Sequence, residues 1–389
     1  MNLISKHVIS RQPLSLAVIG GSLLSAVGYA HFVACRMDRK WSIEAGCFST
    51  DDLDNTETAL AYGVAVDRTY PDWRKMVANE CERVDAILIL TPTPSHFEMV
   101  VACLESGIPV ICEKSLAIRS NEVRKIIDVR NANNGFLAIT YNYTGYPMVR
   151  ELRQLINSGR LGKILHFQAE MPQEGFVRVD VKGEKPIPQA WRLTDAEVPT
   201  IHLDLAVHLH QLIHYLIGQK PLSVVADQAS KGWFHEVIDN VMCLARYSDD
   251  VQGQFWFSKS ALGNRNGLTI RIYGSKGSAE WCQVNPEEIW LAYSDGRREI
   301  LDRSSFVSIA DKPRYNRFKS GHPAGFLEAF ANLYYDIADG LLMYQETGKW
   351  NSEEVYGAEL ALDGQFFLEA IVESARINTW RKVSSRYGI

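Results

Sequence analysis

LSLAVIGGSLLSAVGYAHFVAC, residues 14–35, runs for 22 residues without an Asp, Glu, Lys or Arg, between Arg11 and Arg36. It reads either as a membrane or signal segment or as the first strand and phosphate loop of a nucleotide-binding domain. A spanning helix needs about 20 apolar residues, which the length meets. Three glycines, three serines and a histidine weaken that reading. A signal peptide wants a basic start, an apolar centre and a small-residue cleavage site, and Lys6, Arg11 and Gly28-Tyr29-Ala30 supply these only loosely. Architecture favours the strand, because the strands downstream need a partner before Ile43 and no other candidate exists. The uncharged run is then explained by burial, and the expectation is a soluble, cytoplasmic chain.

Outward from that stretch, short apolar runs alternate with helical patterns. Leu14–Gly20, Ile43–Phe48, Ala86–Leu90, Val110–Cys112 and Phe136–Tyr143 read as strands, with helices such as His96–Ser106 and Asn121–Ala132 between them. This rhythm predicts a parallel sheet covered on both faces. The amphipathic helix VRELRQLINSG ends at Gly159, and the rhythm then changes. ILHFQAEM, LSVVADQA, VMCLARYS, QGQFWFS, LTIRIYG and EIWLAYS follow as strands, with turn signals at Asn266-Gly267 and Asp295-Gly296. One long helix, His202–Gly218, interrupts them. Two helices close the chain, Phe326–Gln345 and another opening on Asn351 and Glu354 in capping-box spacing. The predicted fold class is α/β. Residues 1–145 form a doubly wound dinucleotide-binding domain. Residues 146–389 form an α+β substrate and oligomerisation domain on a large open, mostly antiparallel sheet, its last helices free to pack back on the first domain.

The 389 residues suffice for two domains with real cores. A net charge of −5 without like-charge blocks gives no sign of nucleic acid or a membrane surface as partner, which leaves small molecules. Seven cysteines make an odd count with no C-x-x-C pair, which argues against a disulfide framework or zinc knuckle and fits a reducing compartment. The outward face of the large sheet needs a cover, so a homodimer or homotetramer is expected.

The phosphate loop is atypical. Gly20, Gly21, Ser22 and Gly28 fit a tight turn and close approach to a pyrophosphate, but Leu23, Leu24 and Ser25 occupy the middle, so no G-x-G-x-x-G is present. After the second strand, Ser49 stands where an acid usually takes the ribose hydroxyls, with Asp51 close enough to substitute, so NAD and NADP both remain open. In ILILTPTPSHFE, residues 87–98, Thr91, Thr93 and His96 follow a strand on the ligand side of the sheet. For His96 alone, a helix start after a rigid turn is the plainer account.

Two charged sites stand out. PVICEKSLA places Glu113 and Lys114 directly after a buried strand, where desolvation is costly and a lysine can stabilise an alkoxide. In HLDLAVHLHQLIHYLIG, Asp204 and His208 share a helix face, extended by Gln211 and Tyr215. Asp204 reads either as a helix cap or as the partner of an imidazole that accepts a proton near neutral pH. His210 and His214 form a second pair on another face. They lack the glutamate of HExxH and a third ligand, so no metal is expected.

With these residues, EKS, the Asp204/His208 helix and the strand-rich second half, the chain resembles the glucose-fructose oxidoreductase/inositol dehydrogenase (Gfo/Idh/MocA) family from about Leu14 to Arg376. YNYTGYPMVRELRQLINSGRLGKI, GSKGSAEW and GHPAGFLEAFANLY strengthen the likeness through their order and spacing. The family's E-K-P falls on Glu113-Lys114-Ser115, with Ser in place of Pro, and its D-x-x-x-H falls on Asp204 and His208. The resemblance implies Lys114 and His208 as the catalytic pair, with Asp204 holding substrate and imidazole in place. It implies Glu113 beside the nicotinamide ribose and Asn142 and Tyr143 near nicotinamide and substrate. It also implies Trp191-Arg192 as an aromatic and basic pair at the substrate, and His322 completing the pocket. The glycine run expected before the catalytic helix is replaced by AEVPTIHL.

The expected activity is hydride transfer between NAD or NADP and a secondary alcohol or ketone of a sugar, glycoside, cyclitol or related polyol. An enzyme that keeps its cofactor bound between turnovers would also account for the unusual loop. The alternative is a non-catalytic dinucleotide- or sugar-sensing regulatory protein on the same fold, motivated by the glycine-poor loop and opposed by retention of all three reactive side chains.

Overall fold

The computed structural model describes residues 12–384. Lys6 and Arg11, the basic start of the signal-peptide reading, lie outside them. No helix among the described residues is long and apolar enough to cross a membrane. The opening stretch forms β1 (Leu14–Gly20), a tight loop and α1 (Gly28–Met37). Leu16, Ala17, Val18 and Ile19 are buried because neighbours flank β1 on both sides and helices cover both faces.

The first layer continues through β2 (Trp41–Cys47), α2 (Asp52–Tyr62), α3 (Trp73–Glu80), β3 (Ala86–Leu90), α4 (His96–Glu105), β4 (Val110–Cys112), α5 (Ser120–Ala132) and β5 (Leu137–Ile139). The strands are parallel in the order β2-β1-β3-β4-β5. The order reverses between β1 and β3, and at such a switch point a crevice opens beyond the strand ends. The fifth strand is shorter than expected, because Asn142–Gly145 turn into a 3-10 helix leading to α6 (Pro147–Asn157). Gly145 is obligatory there, since a Cβ on it would lie 1.9 Å from the Ala329 carbonyl oxygen.

The second layer begins with β6 (Ile164–Pro172), followed by a long loop, a π-helical turn at His202–Ala206 and α7 (Val207–Ile217). Then come β7 (Pro221–Ala229), β8 (Asn240–Tyr247), β9 (Gln252–Ser258), β10 (Thr269–Gly274), β11 (Gly277–Cys282), β12 (Asn285–Tyr293) and β13 (Arg298–Leu301). The described residues end with α8 (Phe326–Thr347), α9 (Ala358–Ile377) and β14 (Arg381–Lys382). The nine-stranded order is β13-β12-β11-β10-β6-β9-β8-β7-β14, antiparallel except for the parallel pair β6–β9. Alternation along β8, with Val241, Cys243 and Ala245 buried and Met242 and Leu244 exposed, matches a sheet backed by helices on one face only.

Two expectations about helices are corrected. The expected single helix from His202 to Gly218 opens with a π turn, so Asp204 and His208 do not sit on one regular α-helical stripe. The last helix begins at Ala358 rather than at Asn351. Ser352 Oγ instead accepts the amides of Glu354 and Val355 at 3.1 and 3.2 Å, and the Glu354 carboxylate is taken by Arg153 and Tyr215. The closing helices pack back on the first sheet. Phe330, Tyr334 and Ile337 of α8 share a core with Leu16 and Val18, and Ala358 and Ala361 of α9 share one with Ile139.

Candidate active site

A cleft of about 750 Å³ runs from the ends of β1 and β2 across the switch point to the start of α7. Its first wall is the β1–α1 loop. Gly20 and Gly21 have φ of 78° and 71°, a conformation side chains resist, and a Cβ on Gly21 would lie 2.5 Å from Leu90 Cδ1. Ser22 is buried in this wall, and Leu24, 81% exposed, stands at its lip. The loop holds its turn without more glycines. The amide of Leu23 donates to Thr58 Oγ1 at 3.1 Å, and Ser25 Oγ accepts the Val27 and Gly28 amides at the start of α1. Gly28 lies behind the cleft, where a Cβ would fall 2.1 Å from the Gly21 carbonyl oxygen, so its role is close packing of helix against loop.

Ser49 and Thr50 line the cleft beyond β2, whereas Asp51 does not. Its carboxylate caps α2 by accepting the Asp54 amide at 2.9 Å, which corrects its expected place beside the cofactor. Thr91 and Thr93 line the cleft beyond β3. His96 is corrected too: it is fully buried, with Nδ1 2.7 Å from the Ser115 carbonyl and Nε2 2.7 Å from that of Thr91. It ties together the two loops that line the cleft instead of facing it.

At the inner end, Glu113 and Lys114 leave β4. Thr140 Oγ1 donates to the Glu113 carboxylate, and His31 Nε2 lies 3.3 Å from it. Burial opposes charge on Glu113, but His31, Lys114 and Thr140 together hold its carboxyl below the usual range. The Lys114–Ser115 peptide is cis, and Ser115 Oγ donates to the Leu203 carbonyl at 3.1 Å, joining this strand end to the π turn. Lys114 Nζ donates to both the Asp204 carbonyl and Asp204 Oδ1, each at 2.9 Å. Lys259 Nζ and Arg192 both donate to Asp204 Oδ2. Burial alone would raise the Asp204 pKa, but Lys114, Lys259 and Arg192 outweigh it and hold the carboxyl well below its usual value. Asp204 is therefore a permanent anion with three cations around it, which sets aside the helix-cap reading.

His208 lines the same end, its ring edge-to-face with Tyr143 at 4.7 Å between centroids. Burial and then Lys114 depress its pKa to about 3, so the imidazole is neutral at neutral pH. Asn142 and Tyr143 line the cleft between the layers. Tyr143 OH accepts from Asn266 Nδ2 at 3.2 Å. Trp191 and Arg192 reach the cleft from the long loop after β6. His322 does not: it is exposed, packs on Phe318 at 4.6 Å, and lends only its carbonyl to Arg303, which corrects its expected place in the pocket.

Sequence reasoning missed Lys259, which stands directly after β9 and behind its apolar run at residues 255–257. It also missed Phe326 and Phe330, which bring α8 to the cleft. His210 and His214 pack against Phe367 and Tyr356, and no group of three or more His, Cys, Asp or Glu among the described residues is placed to hold a metal ion.

The cleft fits a dinucleotide. Gly20 and Gly21 turn tightly at a β1–α1 junction, and Asn142 Nδ2 is buried at the cleft wall without a partner, a donor that a ribose or amide oxygen would satisfy. Comparison with known proteins agrees. Residues 14–141 match the model of an oxidoreductase family with an NAD-binding Rossmann fold, and residues 149–280 match the GFO/IDH/MocA C-terminal domain. The chain is 31% identical to an uncharacterized oxidoreductase of Bacillus subtilis, covering 87% of this chain and 88% of that protein. It is 25% identical to levoglucosan dehydrogenase of Pseudarthrobacter phenanthrenivorans, covering 83% and 85%. The crystal structure of an inositol dehydrogenase homolog from Azotobacter vinelandii with NAD+ superposes with a TM-score of 0.87 at 26% identity, covering 95% and 97%.

Proposed function

Because the chain belongs to the Gfo/Idh/MocA family of NAD-binding oxidoreductases, we propose that it transfers a hydride between NAD and a secondary alcohol or ketone of a sugar, glycoside, cyclitol or related polyol. The observation that carries this reading is the convergence of Lys114, Asp204 and neutral His208 at one end of a cleft lined by Gly20, Gly21 and Asn142 at the other parts of its wall. Bound NAD supplies the hydride acceptor for the carbinol carbon. His208 is placed to accept the hydroxyl proton and starts unprotonated at neutral pH. Lys114 donates to the same oxygen and stabilises the developing alkoxide. Asp204 holds the Lys114 ammonium in place, and Tyr143 backs the imidazole ring. The reductive direction runs the same transfers backwards, with His208 as the residue through which the proton reaches the new hydroxyl. A sensing protein would have no use for this acid–base set.

The test is NADH formation at 340 nm across a panel of inositols, aldoses, anhydrosugars and alditols. Lys114→Ala and His208→Ala are each expected to lower kcat/KM on the active polyol by roughly 10²–10⁴-fold, with NADH binding retained. Unchanged turnover in either variant would sink the assignment.

NAD(H) rather than NADP(H) is the expected cofactor. The β2 end of the cleft presents Ser49 and Thr50, and behind them Asp51 caps α2, whose first turn carries Asp52 and Asp54. The cations lining the cleft among the described residues, Lys114, Arg192 and Lys259, all gather around Asp204. A 2′-phosphate at the β2 end would meet the hydroxyls of Ser49 and Thr50 and no cation among the described residues lining the cleft. NADP is therefore expected to bind at least about tenfold more weakly, about 1.4 kcal/mol, in fluorescence titrations of the reduced nucleotides. Equal affinity would refute this preference.

A further inference from the structure

The inner end of the cleft holds more positive charge than the proposed reaction uses. Stabilising one alkoxide needs one lysine, and Lys114 has Asp204 Oδ1 and the Asp204 carbonyl to orient it. Lys259 and Arg192 are additional, and they share the second carboxylate oxygen. Counting the ionisable groups that line this end, Lys114, Lys259 and Arg192 face Glu113 and Asp204, an excess of one cation. Glu113 is also occupied elsewhere, by Thr140 and His31.

The two extra cations differ in a telling way. Lys259 is 6% exposed, sits 5.4 Å above the Phe176 ring, and points its ammonium into the cleft wall. Burying an ammonium there is costly, since burial and the neighbouring cations Arg192 and Lys114 depress its pKa and only Asp204 opposes them. Arg192 is partly open to solvent, lies against Trp191 at 4.5 Å, and commits only one nitrogen, NH1, to Asp204. A guanidinium with an unused edge beside a buried ammonium is donor chemistry suited to a planar carboxylate.

Resting on the dehydrogenase reading above, we propose that the substrate is a polyol carrying a carboxylate, a sugar acid such as a uronate or aldonate, and that Arg192 with Lys259 recognises the acid group while Lys114 and His208 act on a hydroxyl. Arg192 sits on the loop between β6 and the π turn, so the acid group lies on the loop side of the reacting carbon. The carboxylate takes no part in bond making. The balance is that of any secondary alcohol: the carbinol hydride leaves for NAD and the hydroxyl proton for His208.

The experiment uses the full chain saturated with NADH for binding and with NAD for turnover. The probes are matched pairs: D-glucuronate and D-galacturonate against their amides, and D-gluconate against D-glucitol. At least one acid is expected to bind tenfold or more tightly than its neutral partner by calorimetry at low salt. That advantage should shrink with added NaCl, disappear in Arg192→Met and return in part in Arg192→Lys. Equal or better binding of the neutral member in every pair overturns the acid subsite. If neutral polyols are still oxidised, the dehydrogenase reading survives that result. If no acid or neutral polyol yields NADH from a protein that binds the nucleotide, both fail.

Discussion

Asp204 organises the site through its charge. Its carboxylate joins β4 through Lys114, β9 through Lys259 and the long loop through Arg192, so three segments distant in sequence meet on one residue. Three histidines of the π turn and α7 have a different consequence. His202, His208 and His210 are buried, and burial depresses their pKa values to about 4, 3 and 3. Folded values lie below the unfolded value of 6.5, so below that pH the unfolded chain takes up protons that the folded chain refuses. Their contribution is intact above pH 6.5 and is lost as pH falls toward 4 to 3, by roughly 1.4 kcal/mol per histidine at pH 5.5. Thermal melts should therefore fall steadily from pH 7 to 5, and His210→Gln should reduce that slope by about one proton. An unchanged slope in the variant would refute the assignment. At this scale Lys114, Asp204 and His208 were legible because charge next to an apolar run is conspicuous. Asp51, His96 and His322 were misplaced because a sequence does not reveal which polar groups are already committed to a cap, to two carbonyls or to the outer surface.

Elements were legible where burial is two-sided. The strand boundaries of β1, β3 and β4 coincide with their apolar runs, since these strands have no polar face to blur them. The amphipathic helices α2 and α3 were not singled out, and the π turn at His202–Ala206 has no sequence signal that separates it from the helix it opens. The β1–α1 loop remains its own case. Leu23 and Leu24 replace glycines, but the close approach survives at Gly28, where Cβ would strike the Gly21 carbonyl at 2.1 Å. Because the obstacle is backbone, relief requires moving the loop itself. Gly28→Ala is expected to cost about 1–3 kcal/mol and to weaken NADH binding more than it lowers the melting temperature would suggest. A variant with parental NADH affinity would show that the loop tolerates displacement.

Across the whole molecule, the large sheet leaves one face uncovered. Paired positions Met242, Trp256, Trp290 and Ile300 project there, interspersed with the ion-paired Glu170, Arg271 and Glu280. A second copy of this chain is the expected cover, as the mixture of apolar and charged groups suits an interface more than bare solvent. Light scattering is expected to give at least twice the mass of one chain, and Met242→Asp with Trp290→Asp should reduce it. A monodisperse single-chain mass for the parent would exclude this cover. The alternation that marks this face was readable along β8 and β9, whereas the parallel β6–β9 pairing was not, because strand order is set by long-range contacts and not by local pattern.

The placement of α8 also bears on the order in which the protein is made. Phe330, Leu333, Tyr334 and Ile337 complete the core under Leu16, Val18 and Leu88, and Tyr334 also receives the Trp41 indole N–H on its carbonyl at 2.9 Å. A nascent chain released only as far as β5 thus exposes an unfinished apolar floor. The amino-terminal third is therefore expected to stay partly folded, with apolar surface exposed, until the ribosome has delivered the helix that covers it.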